Sequence, residues 1–303
     1  MDKVLIICGP TATGKTKFAL EVAKKFKGEL VSADSRQVYV GKNLVYGKDL
    51  PSGTSPHPSR LKWRGRRLSF YGVDGIKIWL YDVVNPGEPF SVAFWKECAD
   101  LVITDIIVRH HLPIVVGGSG LYLKSLSQSL FQISIHPLPE LRRLLADKSV
   151  DYLFDYLNKV DPSRAASLNR SDRANPRRLL RAIEISLSDK SSPRLGEDAR
   201  EAGGEVQTGS GLSFLQIGLT APRVKLYAMI DDRVHARIAA GAAAEDPAAA
   251  AHPVEWQAHE HGLARRQLTW FRKQPAIHWF DITGARWQAQ AEDLIASWYN
   301  NPS

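Results

Sequence analysis

Cysteine is scarce in this 303-residue chain: there are two, Cys8 and Cys98, far apart and outside any C-x-x-C or Cys/His ligand spacing. Their placement argues against a zinc site and a disulfide framework, and fits a reducing cytosol, so a cytoplasmic location is expected. Long hydrophobic runs are missing as well. No stretch reaches the ~18 apolar residues that a membrane helix needs. The apolar run Val4 to Ile7 is too short for a signal peptide and gives way to Gly9-Pro10. Acidic residues are in deficit, 32 against 40 Lys and Arg, which leaves a formal net charge of +8. That balance favours an anionic partner: nucleic acid, anionic lipid or a phosphorylated ligand. What remains is ordinary globular composition, 44% hydrophobic and 24% charged, with length enough for about two domains and a substantial core.

"KVLIICG" is a short β-branched run that stops at Gly9, the pattern of a buried strand. "KTKFALEVAKKF" then spaces Phe18, Ala19, Val22, Ala23 and Phe26 as a helix does, and "GELVSADS" reads as a second strand running to Asp34. Strand, Gly-rich loop, helix, strand predicts a βαβ unit, and its continuation through "IKIWLYDVV", "VAFWKECADLVITDIIVRH" and "LPIVVGGSG" predicts an α/β fold with a parallel sheet. Residues 48–75 form a Pro/Gly/Ser-rich excursion with Arg60, Lys62, Arg64, Arg66 and Arg67 around Trp63, either a grip on RNA or an exposed hairpin. Only helical patterns follow from Pro139 to about Leu187. The expected organisation is therefore a catalytic core from 1–125 and 206–303 with an all-helical insertion over 126–205. A polar, Gly-rich join over 188–211 reads as linker, and the Ala-rich 239–251 stretch is interrupted by Gly241 and Pro247.

Gly9-Pro10-Thr11-Ala12-Thr13-Gly14-Lys15-Thr16 matches the P-loop pattern in full, between a predicted strand and a predicted helix. Glycines let successive N–H groups turn inward, and the helix dipole adds positive potential. Lys15 supplies a charge for the outer phosphates, and Thr16 offers a hydroxyl to a phosphate-bound Mg²⁺. The loop does not name the reaction, since NTPases, small-molecule kinases and diphosphate-using transferases all employ such a grip. Asp34 is expected at the carboxyl edge of the sheet, where open α/β folds bind ligands. There it serves either as a base or Mg²⁺ partner, or as a cap on the following turn. The run Arg164 to Arg181 reads either as a phosphate-contacting face or as a solvated one.

Taken together, "GPTATGKT", "SADSRQVY", "VVGGSGLYLKSL", "NPRRLLRAIE", "LTAPRVKLYAMIDDRV" and "RRQLTWFR" resemble, in order, the motifs of the bacterial tRNA dimethylallyltransferases, over nearly the whole chain. The resemblance implies a P-loop core that holds the diphosphate of dimethylallyl diphosphate rather than a nucleotide. It implies transfer of the dimethylallyl group to N6 of the adenosine just 3′ of a tRNA anticodon, with Mg²⁺ as the cofactor, by an enzyme acting as a monomer. By the same resemblance Asp34 is the general base, and Lys15, Thr16, Ser119 and Arg223 complete the catalytic set. Ser35, Arg36, Gln37 and Ser119 hold the base and its neighbours, and Arg142, Asn175, Pro176, Arg177 and Arg178 contact tRNA. Three departures stand out. Ser119 replaces a usual Thr; Ile78 and Trp79 replace a His pair; and 239–264 lacks the longer helical segment with a Gly-Tyr-Lys-Glu-like motif, so a piece of the helical layer is expected to be missing or replaced. In that stretch His252, Glu255, His259, Glu260 and His261 invite a metal reading. Rival readings are a P-loop small-molecule kinase, a transferase acting on free nucleotide, and an RNA-binding relative with reduced catalysis.

Overall fold

The computed structural model describes residues 1–127, 135, 137–191 and 211–301. The chain divides into two compact units, Met1–Gln128 with Thr208–Ser303, and Ser129–Gln207. The expected boundaries lie two to three residues from these. Most of the linker anticipated over 188–211 falls outside the described residues.

The first unit is built on an eight-stranded sheet in the order β3-β4-β5-β2-β6-β1-β7-β8. The strands are β1 (Asp2–Cys8), β2 (Gly28–Ser32), β3 (His57–Trp63), β4 (Arg66–Val73), β5 (Ile76–Trp79), β6 (Leu112–Gly117), β7 (Leu212–Thr220) and β8 (Ile277–Asp281). From β5 to β8 every neighbouring pair is parallel. The β3–β4 and β4–β5 pairs are antiparallel, so the 48–75 excursion forms a hairpin that extends the sheet. Arg64 (φ 48°) and Gly65 (φ 80°) make its two-residue turn in the left-handed conformation that matches strand twist.

Central strands are covered on both faces, which is why they read as unbroken apolar runs. Val4, Ile6 and Cys8 of β1 face one core, with Trp95, Cys98, Val102 and Ile106 of α2 (Val92–Val108) and Leu123 of α3 (Gly120–Ser127). Leu5 and Ile7 face the other, with Phe18, Ala19 and Val22 of α1 (Lys15–Phe26) and two residues of the closing helix (Trp287–Asn300), Ala291 and Ile295. Trp95 stacks on Tyr122 at 4.7 Å and donates its indole N–H to the Ser32 carbonyl (2.9 Å), which pins the end of β2 two residues before Asp34.

The second unit is helical among its described residues: α4 (Pro139–Leu145), α5 (Val150–Val160), α6 (Pro162–Ser167), α7 (Arg170–Arg173) and α8 (Pro176–Ser191). Leu145, Leu153, Leu157, Leu179 and Ile183 form its core. Glu184 is fully buried there and holds the assembly together: it accepts from Arg142 (2.7 and 3.0 Å), Arg181 (3.1 Å) and the Leu138 backbone (2.9 Å).

The Ala-rich stretch is helical. After α9 (Arg223–Ala239) come a 3₁₀ turn (Ala242–Ala244), α10 (Pro247–Ala251) and α11 (Pro253–Phe271). Pro247 and Pro253 occupy first-turn positions, where a missing N–H costs nothing, so they start helices rather than interrupt them. Ala242 and Trp256 pack with Val45 and Val234 in a small core of their own.

Candidate active site

Four chain segments converge at the carboxyl edge of the parallel strands. The first is the P-loop. Gly9 has φ +136°, and a Cβ there would lie 2.2 Å from the Leu219 carbonyl oxygen, so no other residue fits. Ala12 (φ 66°) and Gly14 (φ 71°) turn the loop into α1, and Thr13 caps it internally by donating to the Pro10 carbonyl (2.9 Å). Lys15 donates to the same carbonyl (2.6 Å). Burial pushes the Lys15 ammonium down to about 8, with Arg233 acting in the same direction against the pull of Asp34, Cys8 and Asp49.

The second segment follows β2. One oxygen of Asp34, Oδ1, accepts from the Arg36 backbone N–H (2.9 Å) in a tight turn, and Oδ2 takes no hydrogen bond among the described residues. The third is the glycine loop after β6. A Cβ on Gly117 would lie 2.2 Å from the Ala33 carbonyl oxygen, so β2 and β6 close up only because Gly117 has none. Ser119 donates its backbone N–H to the Ala33 carbonyl (3.1 Å), and its hydroxyl accepts from the Ser35 N–H (3.0 Å). Ser119 therefore braces the backbone on both sides of Asp34.

The fourth segment is the helix pair α9 and α11. Glu260, on α11, is 4% exposed; it accepts from the Arg36 guanidinium (2.6 Å) and, at 3.5 Å, from the Thr11 hydroxyl. The Thr11 hydroxyl in turn accepts from Arg233 (3.2 Å). Burial pushes the Glu260 carboxyl up, but Arg36, Arg237 and Arg233 outweigh it and hold the group below the usual range. Gln267, two turns further along the same helix, accepts from the Thr11 N–H (2.9 Å) and donates to the Gly118 carbonyl (3.1 Å), tying the P-loop to the glycine loop.

These segments enclose a cavity of about 530 Å³. Lys15, Arg36, Arg233 and Arg237 bring positive charge to its wall, and Asp34, Asp49 and Asp232 bring negative. Arg237 is 6% exposed, and burial lowers its guanidinium to about 10. A pocket with a cationic grip beside an acceptor carboxylate suits an anionic leaving group and a proton-losing nucleophile.

Several predicted residues meet there and several do not. Ala12, Gly14, Lys15, Thr16, Asp34, Arg36 and Gln37 line the cavity together. Thr11 lines it too, with its N–H donating to the Gln267 side chain (2.9 Å). Gly9, Pro10 and Thr13 shape the loop without lining the cavity, and Ser35 is exposed. Gln37 is held by the Ser32 hydroxyl (2.7 Å) and the Gly47 carbonyl (2.7 Å), so it fixes the cavity wall. Arg223 is exposed in the first turn of α9 and does not line the cavity; Arg233 and Arg237, further along the same helix, do. Sequence reasoning missed those two arginines and named Glu260 only in a metal reading. The available signal was the spacing Glu260, Ala264, Gln267, Phe271, one buried helix face carrying two polar residues. The metal reading of the His/Glu stretch fails: among the described residues no three His, Cys, Asp or Glu side chains gather to hold an ion.

In the helical unit Arg142 is forked onto Glu184, and Arg178 pairs with Asp172. The Asn175 side chain caps α8, accepting from the N–H groups of Arg177 (3.0 Å) and Arg178 (3.2 Å), and Pro176 fills the first helical position. Arg177 is exposed and has no ion pair among the described residues. Asn175→Ala should lower stability by about 1 kcal/mol in urea unfolding, with little change in RNA affinity. A collapse of RNA affinity at unchanged stability would make Asn175 a contact residue instead.

The sequence profile of the family described as IPP transferase matches residues 72–253. The tRNA dimethylallyltransferase of Geobacillus kaustophilus is 31% identical, with 97% of this chain and 95% of that protein aligned. The chain belongs to the IPP transferase family. The tRNA dimethylallyltransferase of Acetivibrio thermocellus is 33% identical over 93% of this chain and 92% of its own. Among solved structures, the tRNA isopentenylpyrophosphate transferase of Bacillus halodurans superposes with a TM-score of 0.61 at 27% identity, covering 98% and 96% of the two chains. A eukaryotic dimethylallyltransferase acting on tRNA has a TM-score of 0.75 at 20% identity, covering 100% of this chain and 81% of its own, a likeness of fold. In this IPP transferase the P-loop, Asp34 and the glycine loop at Ser119 thus occupy one sheet edge.

Proposed function

We propose that the protein is a tRNA dimethylallyltransferase: it transfers the dimethylallyl group of dimethylallyl diphosphate to N6 of the adenosine immediately 3′ of the anticodon and releases diphosphate. The observation that carries this reading is the single cavity in which the Lys15 end of the P-loop and the Asp34 carboxylate face one space. As the N6–C bond forms, the bond from carbon to the diphosphate oxygen breaks and the N6 proton passes to Asp34. The free Oδ2 of Asp34 is suited to take that proton, because Oδ1 is already held by the Arg36 backbone. Lys15, the N–H groups at the start of α1 and Arg233 stabilise the charge that builds on the leaving diphosphate. An adenine reaches Asp34 only after leaving its stack, so the base is flipped out.

Mg²⁺ fits as a companion of the diphosphate. Thr16 lines the cavity, its hydroxyl has no hydrogen bond among the described residues, and an ion that keeps several waters needs no protein cage. When bound, it would neutralise part of the leaving group's charge. In the helical unit, Arg170 and Arg177 are exposed cations available to the tRNA backbone, while Arg142 and Arg178 reach it only beyond their own carboxylate partners. One chain supplies both grip and base, so a monomer suffices for the reaction. Its tRNA substrate sets its place in the cytoplasm.

The experiment is incubation with labelled dimethylallyl diphosphate, Mg²⁺ and an unmodified tRNA transcript. Label appearing on the adenosine 3′ of the anticodon is the expected result. Tight ATP binding with phosphoryl transfer, and no label on RNA, would make the protein a kinase. The Lys15 environment adds a pH signature. Below about 8 the ammonium is charged and holds the diphosphate; as pH rises through that value the charge is lost. Affinity for dimethylallyl diphosphate should therefore fall about tenfold between pH 7 and 9. The Lys15→Met variant should bind weakly and lose this dependence in calorimetric titration.

A further inference from the structure

The β3–β4 hairpin carries five cations within eight residues, Arg60, Lys62, Arg64, Arg66 and Arg67, and no acidic residue occurs from Leu50 to Val73. Three of the five are answered from elsewhere in the fold. Arg60 meets Asp105, Arg64 meets Glu97 while lying over the Phe94 ring (4.3 Å), and Arg66 meets Glu88. Lys62 and Arg67 are exposed and have no ion pair among the described residues. They are also direct cross-strand partners. Like charges placed opposite one another in a ladder destabilise it.

Register places this pair with respect to the catalytic carboxylate. Val31 of β2 pairs with Trp79 of β5, and Trp79 pairs with Phe70 of β4. Three residues toward the carboxyl edge from Val31 is Asp34; three residues toward the same edge from Phe70 is Arg67, with Lys62 opposite. The two cations therefore lie toward the same sheet edge as Asp34, two and three strands away, about 10 and 14 Å in strand spacing. An RNA whose base enters the cavity at Asp34 carries phosphates within reach of both.

We propose that Lys62 and Arg67 form an accessory phosphate-binding surface for the RNA substrate, on the same sheet edge as the catalytic cavity. The proposal rests on the reading of the protein as a tRNA-modifying enzyme. Charge on an edge strand also keeps strands of separate molecules from pairing. That role accounts for Lys62 on β3, the edge strand, but not for Arg67, which lies on β4 between two neighbours.

The test is the double variant Lys62→Ala/Arg67→Ala, titrated with an unmodified tRNA transcript across a salt series. The slope of log affinity against log salt should become shallower by about 2, one for each phosphate that is no longer neutralised. The KM for RNA should rise, while affinity for dimethylallyl diphosphate stays the same. An unchanged salt slope in a variant whose parent transfers the prenyl group overturns the surface and leaves the reaction standing. Self-association of the variant at unchanged RNA affinity also overturns it, and assigns the charges to edge protection. A parent protein that binds the transcript without modifying it, with the slope still falling in the variant, overturns the reaction and supports the surface.

Discussion

Asp34→Asn should slow prenyl transfer by about a hundred- to ten-thousand-fold, the usual contribution of a general base. The variant is chosen for what it preserves. An asparagine oxygen can still accept from the Arg36 N–H, so the turn after β2 keeps its anchor (2.9 Å in the parent). The Ser119 brace on Ser35 is also untouched. Only the ability to take a proton is removed. Binding of tRNA, measured separately by filter retention or anisotropy, should change little. Should rate and RNA affinity fall together by the same factor, Asp34 would be organising the RNA-binding surface rather than accepting a proton.

Lys48→Met carries the largest expected effect on stability. The Lys48 side chain is fully buried and its ammonium is surrounded by the carbonyls of Tyr39 (3.0 Å) and Gly41 (2.8 Å), the Asn43 side chain (3.0 Å) and the Asp82 carboxylate. Burial pushes the ammonium down from its ordinary value, with Asp82 opposing. Tyr71 donates its hydroxyl to the other Asp82 oxygen. Methionine keeps the length of the stem and removes the cation. It leaves a carboxylate and three acceptors facing an apolar tip, and breaking one side of a buried pair costs about 3–5 kcal/mol. For a unit of this size that lowers the melting temperature by roughly 10 °C. The clamp also holds the 39–48 loop, whose Tyr46 and Gly47 line the cavity. Affinity for dimethylallyl diphosphate should therefore drop alongside stability. An unchanged melting temperature would mean that Asp82 and the carbonyls find water or another partner once Lys48 is gone.

The two variants probe different levels of the molecule, and the sequence disclosed those levels unequally. The P-loop was legible because its chemistry is local. A phosphate grip needs a strand, a tight glycine turn and a helix start within a few residues, and all of them appear together between Val4 and Leu20. Asp34 was legible for the same reason, one residue past the pattern of a buried strand. The helical insertion showed in the change of hydrophobic period. The 48–75 excursion allows two readings from sequence because its strands carry cations where apolar residues are usual; only pairing with β5 makes it part of the sheet.

Charge partners, by contrast, lie far apart in the chain, and nothing local announces them. Arg36 and Glu260 are 224 residues apart, and Thr11 and Gln267 are 256 apart. Arg223 lies in a matching motif, yet α9 brings Arg233 and Arg237 to the cavity instead, where both meet the half-exposed Asp49. Arg142 looked free until α8 placed Glu184 beneath it. The sequence by itself determined the α/β class, the phosphate grip and the carboxylate beside it, because short-range backbone geometry dictates those. Tertiary structure alone decided which cations face the ligand and which are neutralised within the fold. A buried partner lowers the charge that a side chain offers to a substrate, and which partners meet is settled by packing, not by neighbouring residues.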